Sequence, residues 1–151
     1  MPVPLRTFAD EKAIYSVDMM LAYLNTHEHP VVELPMEKFL WQLEQKVWGD
    51  WSPSDVLKNM KAKKYANNAA RIDKADLAYP VIVTAAGHKL VDGYHRVAKA
   101  HRDGATSVKA VVFPVALMKK FILDTDMDFV KVHQRTSLNE ILELWNRRFC
   151  K

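Results

Sequence analysis

Between Asp92 and Lys99 the chain reads Asp-Gly-Tyr-His-Arg-Val-Ala-Lys, and the chemistry which those types and that spacing allow is the handling of phosphate. A glycine between a strand and a helix lets a ligand approach the backbone. The first turn of a helix offers N–H groups with no partner inside the helix, and the helix dipole adds positive potential there. Such a junction suits an anion. Gly93 and the N–H groups after it, that of Tyr94 among them, would hold phosphate oxygens. Arg96 can grip phosphate through two parallel N–H bonds, His95 can donate to it or shuttle a proton, and Lys99 stands one turn further on. Asp92 would hold Mg²⁺ or orient His95. Each residue also has a structural reading: Asp92 as a helix cap, His95 as a partly buried histidine with its bonds satisfied, Arg96 as the partner of a structural carboxylate. Residue types alone do not separate the two sets of readings.

The elements that must position these residues follow from periodicity. Residues 80–84 and 89–92 read as two strands joined by a turn at Gly87, a hairpin. A helix over 94–103 places Val97, Ala98 and His101 at helical spacing, and Gly104 stops it. Residues 107–113 form another strand, ended by Pro114. Upstream, Ile14, Val17, Leu21 and Leu24 predict a first helix with Asp10 as its cap and Asn25 at its end. Residues 26–30 read as a turn and 31–34 as a short strand. Met36, Phe39, Leu40, Leu43 and Val47 predict a helix or helical turn after Pro35 that ends at 48–51. Ser52, Pro53 and Asp55 mark a strong helix start, and 67–70 is a loop or short helix. Downstream, Leu117, Phe121 and Ile122 stripe one helix, and the polar residues 124–128 read as a hinge. Leu138, Ile141, Leu142, Trp145 and Phe149 stripe a second helix, with Ser137 and Glu140 as its capping box. Its broad apolar face suits either the core or a homo-oligomer contact. The expected fold is α/β (α+β), a small mixed sheet flanked by helices in a single domain over 1–151. Residues 1–30 form an N-terminal helical extension, 31–114 the core, and 115–151 the C-terminal helices.

The order of these features resembles the ParB/sulfiredoxin superfamily: a Pro-Val-Ile-Val strand from Pro80, the run from Lys89 to Ala100 through Gly93, His95 and Arg96, then Gly104 and the strand at 108–112. The resemblance covers 79–114 well and 31–64 loosely. It implies a phosphate-binding role for Gly93, His95 and Arg96. Sulfiredoxin carries its catalytic cysteine immediately before the His-Arg pair, where this chain has Tyr94, so the chain does not resemble a sulfiredoxin in chemistry. Partition proteins continue into a helix-turn-helix DNA reader and a dimerisation domain, and too few residues follow Phe113 for both. The Asp-Gly-x-His-Arg form is most similar to the free serine kinase branch, in which Asp and His work beside a nucleotide phosphate and a glutamate acts as base. By position that glutamate is Glu44, with Glu33 and Glu37 behind it. The implied function is nucleotide binding, with ATP, ADP or CTP and Mg²⁺, and with phosphoryl transfer to a small hydroxyl substrate or nucleotide hydrolysis as the reaction. An alternative is a DNA-binding, partition-like or nuclease-like accessory module, in which Lys58, Lys61, Lys63 and Lys64 beside Tyr65 would meet nucleic acid. A third is a non-catalytic assembly protein.

Composition narrows the classes further. The formal net charge of +4 favours anionic partners, although such an excess also serves to solvate a surface. The single cysteine, Cys150, excludes a disulfide within the chain and a cysteine-based zinc site. No apolar run reaches membrane-spanning length and the first residues lack the pattern of a signal peptide, so a soluble cytoplasmic protein without a membrane partner is expected. His27-Glu28-His29 reads as a turn, and no Walker A, Gly-x-Ser-x-Gly or His-Glu-x-x-His pattern occurs.

Overall fold

The computed structural model describes residues 5–150, and its elements follow one another as strands and helices in irregular alternation. In chain order they are β1 (Thr7–Ala9), β2 (Ile14–Ser16), α1 (Val17–Thr26), β3 (Val32–Pro35), α2 (Leu40–Leu43), α3 (Pro53–Lys58), α4 (Ala66–Lys74), β4 (Val81–Thr84), β5 (Leu90–Asp92), α5 (Tyr94–Arg102), β6 (Ser107–Phe113), α6 (Val115–Lys119), β7 (Ile122–Asp124), α7 (Phe129–Arg135) and α8 (Leu138–Phe149). Single 3₁₀ turns at Met36–Lys38 and Lys63–Tyr65 precede α2 and α4. The fold is α+β. The chain clusters into two compact units, one of Pro30–Phe113 and one of the residues up to His29 together with those from Pro114.

The 30–113 unit is built on a four-stranded sheet of order β3-β6-β4-β5. β4 runs parallel to β6, while β3 and β5 are antiparallel to their neighbours. One face carries the core, in which Phe39, Leu43, Val56, Ile72, Val81 and Val97 are among the fully enclosed side chains. The α3 start follows the expected chemistry: the Ser52 hydroxyl accepts from Asp55 N–H at 3.1 Å, and the Asp55 carboxylate accepts from Ser52 N–H at 2.8 Å. At the far end of α5, Gly104 adopts a left-handed φ of 81°. Ala105 N–H then returns to the Ala100 carbonyl at 2.9 Å and Gly104 N–H to that of His101 at 3.1 Å, the bonding pattern that closes a helix on a glycine.

A buried glutamine, unmarked by any sequence pattern, ties α2 to the β4–β5 hairpin. Gln42 is 2% exposed. Its Oε1 accepts from Leu90 N–H at 2.6 Å, and its Nε2 donates to the carbonyls of His88 at 2.8 Å and Lys38 at 3.1 Å. β5 is only three residues long, so this anchor helps to hold the strand that delivers Asp92 and Gly93.

The other unit differs from expectation in instructive ways. Residues 1–30 and 115–151, read as helical, also contribute a three-stranded antiparallel sheet of order β1-β2-β7. Asp10 does not cap α1. Its carboxylate accepts from Lys12 and Ala13 N–H at 2.8 and 3.0 Å and so closes the β1–β2 turn, while the cap of α1 is Ser16, which accepts from Met19 N–H. Both uses satisfy backbone donors with a short polar side chain, and sequence alone does not distinguish them. Phe121 and Ile122 lie beyond α6, and the supposed hinge at 124–128 is ordered by consecutive carboxylates. Asp124 accepts from Asp126 N–H, Asp126 from Asp128 N–H, and Asp128 caps α7 through Lys131 N–H.

Replacing Gln42 with Leu should lower stability by roughly 2–4 kcal/mol, because a buried N–H and a buried carbonyl lose their partners together. Urea midpoints of the two proteins measure this, and a change below about 0.5 kcal/mol would mean that the anchor is not holding the hairpin.

Candidate functional site

The β5–α5 junction is fixed first by packing. Gly93 has a φ of 114°, and a Cβ placed there would lie 2.4 Å from Val81 Cγ1 and 2.8 Å from Val81 Cβ. Both the backbone angle and the contact with β4 therefore require glycine, whatever ligand the turn meets. α5 starts immediately after it, and since the N-cap is itself a glycine, no side chain among the described residues caps its amino end. The N–H groups of its first turn are thus not served by a side-chain acceptor, which is the arrangement an anion can complete.

The charged residues of the motif are largely engaged. Arg96 Nη2 donates to Asp92 Oδ2 at 2.8 Å, and its Nη1 donates to the carbonyls of Pro80 at 2.6 Å and Tyr79 at 3.3 Å. That guanidinium pins the segment before β4 to the first turn of α5. Lys99 Nζ donates to the carbonyls of Ala75 at 2.9 Å and Asp73 at 3.1 Å, closing the carboxyl end of α4 as a cation does best. Tyr94 packs against the core, and burial pushes its hydroxyl pKa up. Glu44 accepts from the Ser54 hydroxyl at 2.7 Å. Among the described residues no bond joins Glu44 to Asp92 or His95, and no three His, Cys, Asp or Glu side chains gather as a metal site would need.

His95 faces α4 and the turn after α2. Its ring stacks on Trp48 with centroids 4.4 Å apart and planes 14° apart. Nε2 donates to Asn68 Oδ1 at 3.0 Å, which leaves Nδ1 as the lone-pair nitrogen of a neutral ring. Burial is the main reason that its pKa falls to about 4. The Arg71 charge lowers it further, and Asp92 opposes the fall. His95 is therefore neutral at pH 7 and cannot supply the positive charge expected of it, although it can accept a hydrogen bond.

Three neighbours of His95 escaped the sequence reading: Trp48, Asn68 and Arg71. Trp48 holds the tight turn in which it bridges to Trp51. Asn68 and Arg71 are three apart on α4 and so lie along one face. Arg71 is exposed and, among the described residues, enters no ion pair or side-chain hydrogen bond. The only signal available beforehand was composition, a helix with two asparagines and an arginine before it turns basic. The lysines marked for nucleic acid, Lys58, Lys61, Lys63 and Lys64, are all exposed, and Lys64 Nζ lies 5.0 Å from the centre of the Tyr65 ring.

Because the folded pKa of His95 lies below that of an unfolded histidine, the unfolded chain binds the extra proton between about pH 6.5 and 4. The stability contributed by the neutral ring is complete above that window and is lost as pH falls through it. The wild type should lose about 2 kcal/mol more than His95→Gln across the window, after allowance for solvent screening of a half-buried ring. Denaturant midpoints at both ends of the window measure the difference, and equal losses would contradict the assigned environment. Compared with known proteins, the chain matches no family model, no curated protein and no solved structure.

Proposed function

We propose that the chain binds the phosphate of a nucleotide or phosphorylated metabolite at the start of α5, in a domain of the ParB/sulfiredoxin type. The observation that carries this reading is the helix start behind Gly93, where no side chain among the described residues accepts from the first-turn N–H groups, with the exposed Arg71 three residues along α4 from the Asn68 that bonds His95. The first-turn N–H groups would take phosphate oxygens, Arg71 would supply charge, and neutral His95 would receive a hydrogen bond at Nδ1. The Trp48 ring, already stacked on His95, offers an aromatic face to a base.

Binding is better supported than transfer. A transfer would draw on Asp92 for Mg²⁺ and on Glu44 as base, yet Asp92 serves Arg96 and Glu44 serves Ser54. Phosphoryl transfer to a small hydroxyl from ATP, ADP or CTP with Mg²⁺ would therefore require both carboxylates to leave their partners when substrate binds. A second reading, nucleic-acid binding, is favoured by the exposure of all four lysines between 58 and 64. Affinity for DNA on that surface would fall steeply with salt and would flatten when the four are replaced by alanine. Affinity indifferent to salt, or absent at low salt, would remove it.

Calorimetry with ATP, ADP and CTP, with and without Mg²⁺, tests the main reading. At least one should bind, and Arg71→Ala should weaken it on the order of tenfold without altering the fold, since the side chain is exposed. Arg96→Ala would be uninformative, because it also unpins the segment before β4. No binding by any of the three, or binding untouched by Arg71→Ala, overturns the proposal.

A further inference from the structure

The orientation of the His95 ring is set by two neighbours. The amide oxygen of Asn68 can only accept, so Nε2, 3.0 Å away, carries the ring proton. The Trp48 ring covers one face at 4.4 Å and lies nearly parallel to it. Asn68 brings no charge. The charged groups that face the ring are Arg71 of α4 and Asp92 at the end of β5, and burial together with Arg71 outweighs Asp92, which keeps the ring neutral. Nδ1 is therefore a bare lone pair, and among the described residues no hydrogen bond reaches it.

Covalent geometry keeps that lone pair near the helix start. Nδ1 and the His95 N–H hang on the same Cα, and no rotamer separates the two nitrogens by more than about 5 Å. A tetrahedral oxyanion bridges such a span with two of its oxygens, each within hydrogen-bond reach. The other groups that an anion would meet there are donors: the first-turn N–H groups and the exposed guanidinium of Arg71. Of these groups Nδ1 is the acceptor.

We propose that Asn68, by fixing His95 as an acceptor, makes this turn selective for a phosphate that still carries a proton: a terminal phosphomonoester rather than a phosphodiester or a sulfate. The proposal rests on the phosphate reading of the turn and adds a requirement to it. A P–OH group would donate to Nδ1 while the remaining oxygens accept from the N–H groups. An oxyanion without a proton would set an oxygen lone pair against the nitrogen lone pair in a half-buried place, where water only partly offsets the repulsion. The requirement also separates nucleotide from nucleic acid at this turn. The last phosphate of a nucleotide or sugar phosphate takes up a proton at about pH 6, whereas the diesters of a nucleic-acid backbone carry none near neutral pH.

Ring ¹⁵N spectra of the full chain at about pH 8 test the acceptor directly. His95 Nδ1 should resonate as an unprotonated nitrogen and Nε2 as a protonated one; the reverse tautomer, or a doubly protonated ring, overturns the proposal. Titration with inorganic phosphate and with sulfate, following the amides of Tyr94, His95 and Arg96, then tests the choice of anion. The two ions are alike in shape, and at about pH 8 both are mainly dianions, yet only phosphate has a proton to give. Phosphate should bind on the order of tenfold more tightly. In Asn68→Leu either ring nitrogen can carry the proton, and the preference should fall to about twofold; a merely structural asparagine would weaken both ions alike and keep the ratio. Equal binding of the two ions by the wild type, or a ratio that Asn68→Leu leaves intact, overturns the proposal and leaves the phosphate reading standing. Binding of neither ion overturns it as well, and the phosphate reading falls with it only if ATP, ADP and CTP also fail to bind.

Discussion

The candidate site depends on one close contact, that of Gly93 with Val81. The two meet so tightly that a methyl group on Gly93 would overlap the valine side chain. The backbone at that point holds an angle which side chains rarely adopt. Val81 opens β4 and sits opposite Ala110 of β6, so the contact locks the beginning of α5 to the middle of the sheet. Everything the motif can do follows from that lock: the direction in which the first turn points, the placement of His95 against Trp48, and the reach of Arg96 back to Pro80. The Gln42 anchor acts on the same strand from the other end, since β5 runs from Leu90, which Gln42 holds, to Asp92, which Arg96 holds.

Charge at the junction is divided between building and binding. Arg96 and Lys99, the cations that the motif itself supplies, both spend their hydrogen bonds on carbonyls at the ends of neighbouring segments. The ion pair with Asp92 is partly exposed, at 21% and 36% for the two side chains, so its own contribution is modest beside the carbonyl bonds that a guanidinium can hold in one plane. Arg71 of α4, by contrast, is exposed and enters no ion pair or side-chain hydrogen bond among the described residues. His95, made neutral chiefly by burial, adds no charge for an anion.

What the sequence made legible were the features whose cause is local. The strand–glycine–helix junction, the Ser52 cap of α3, the Gly104 stop and β6 each rest on residues within a few positions of one another, and the α+β class follows from them. Features caused by distant residues were hidden. Gln42 reads as an ordinary polar position on a helix until the hairpin 46 residues later closes over it. Asn68 and Arg71 gain meaning only because α4 is brought against His95, 27 residues on from Asn68. Asp10 closes a turn and does not cap α1, because a carboxylate followed by N–H groups makes a turn as readily as a helix cap. Of the motif's residues, Asp92, Arg96 and Lys99 have partners within the fold, while no side chain among the described residues accepts from the first-turn N–H groups of α5.

The proposed phosphate site rests on those N–H groups, and the most direct measurement of it is a ¹⁵N–¹H titration of the full chain with ATP, ADP and CTP that follows the amides of Tyr94, His95 and Arg96. A phosphate held by the first turn of α5 should move these three together and saturably, with the Arg71 side-chain signal, while the amides of β1 and α8 stay still. Saturable binding that leaves the three amides unmoved, or no binding by any of the nucleotides, would contradict a phosphate site at this turn.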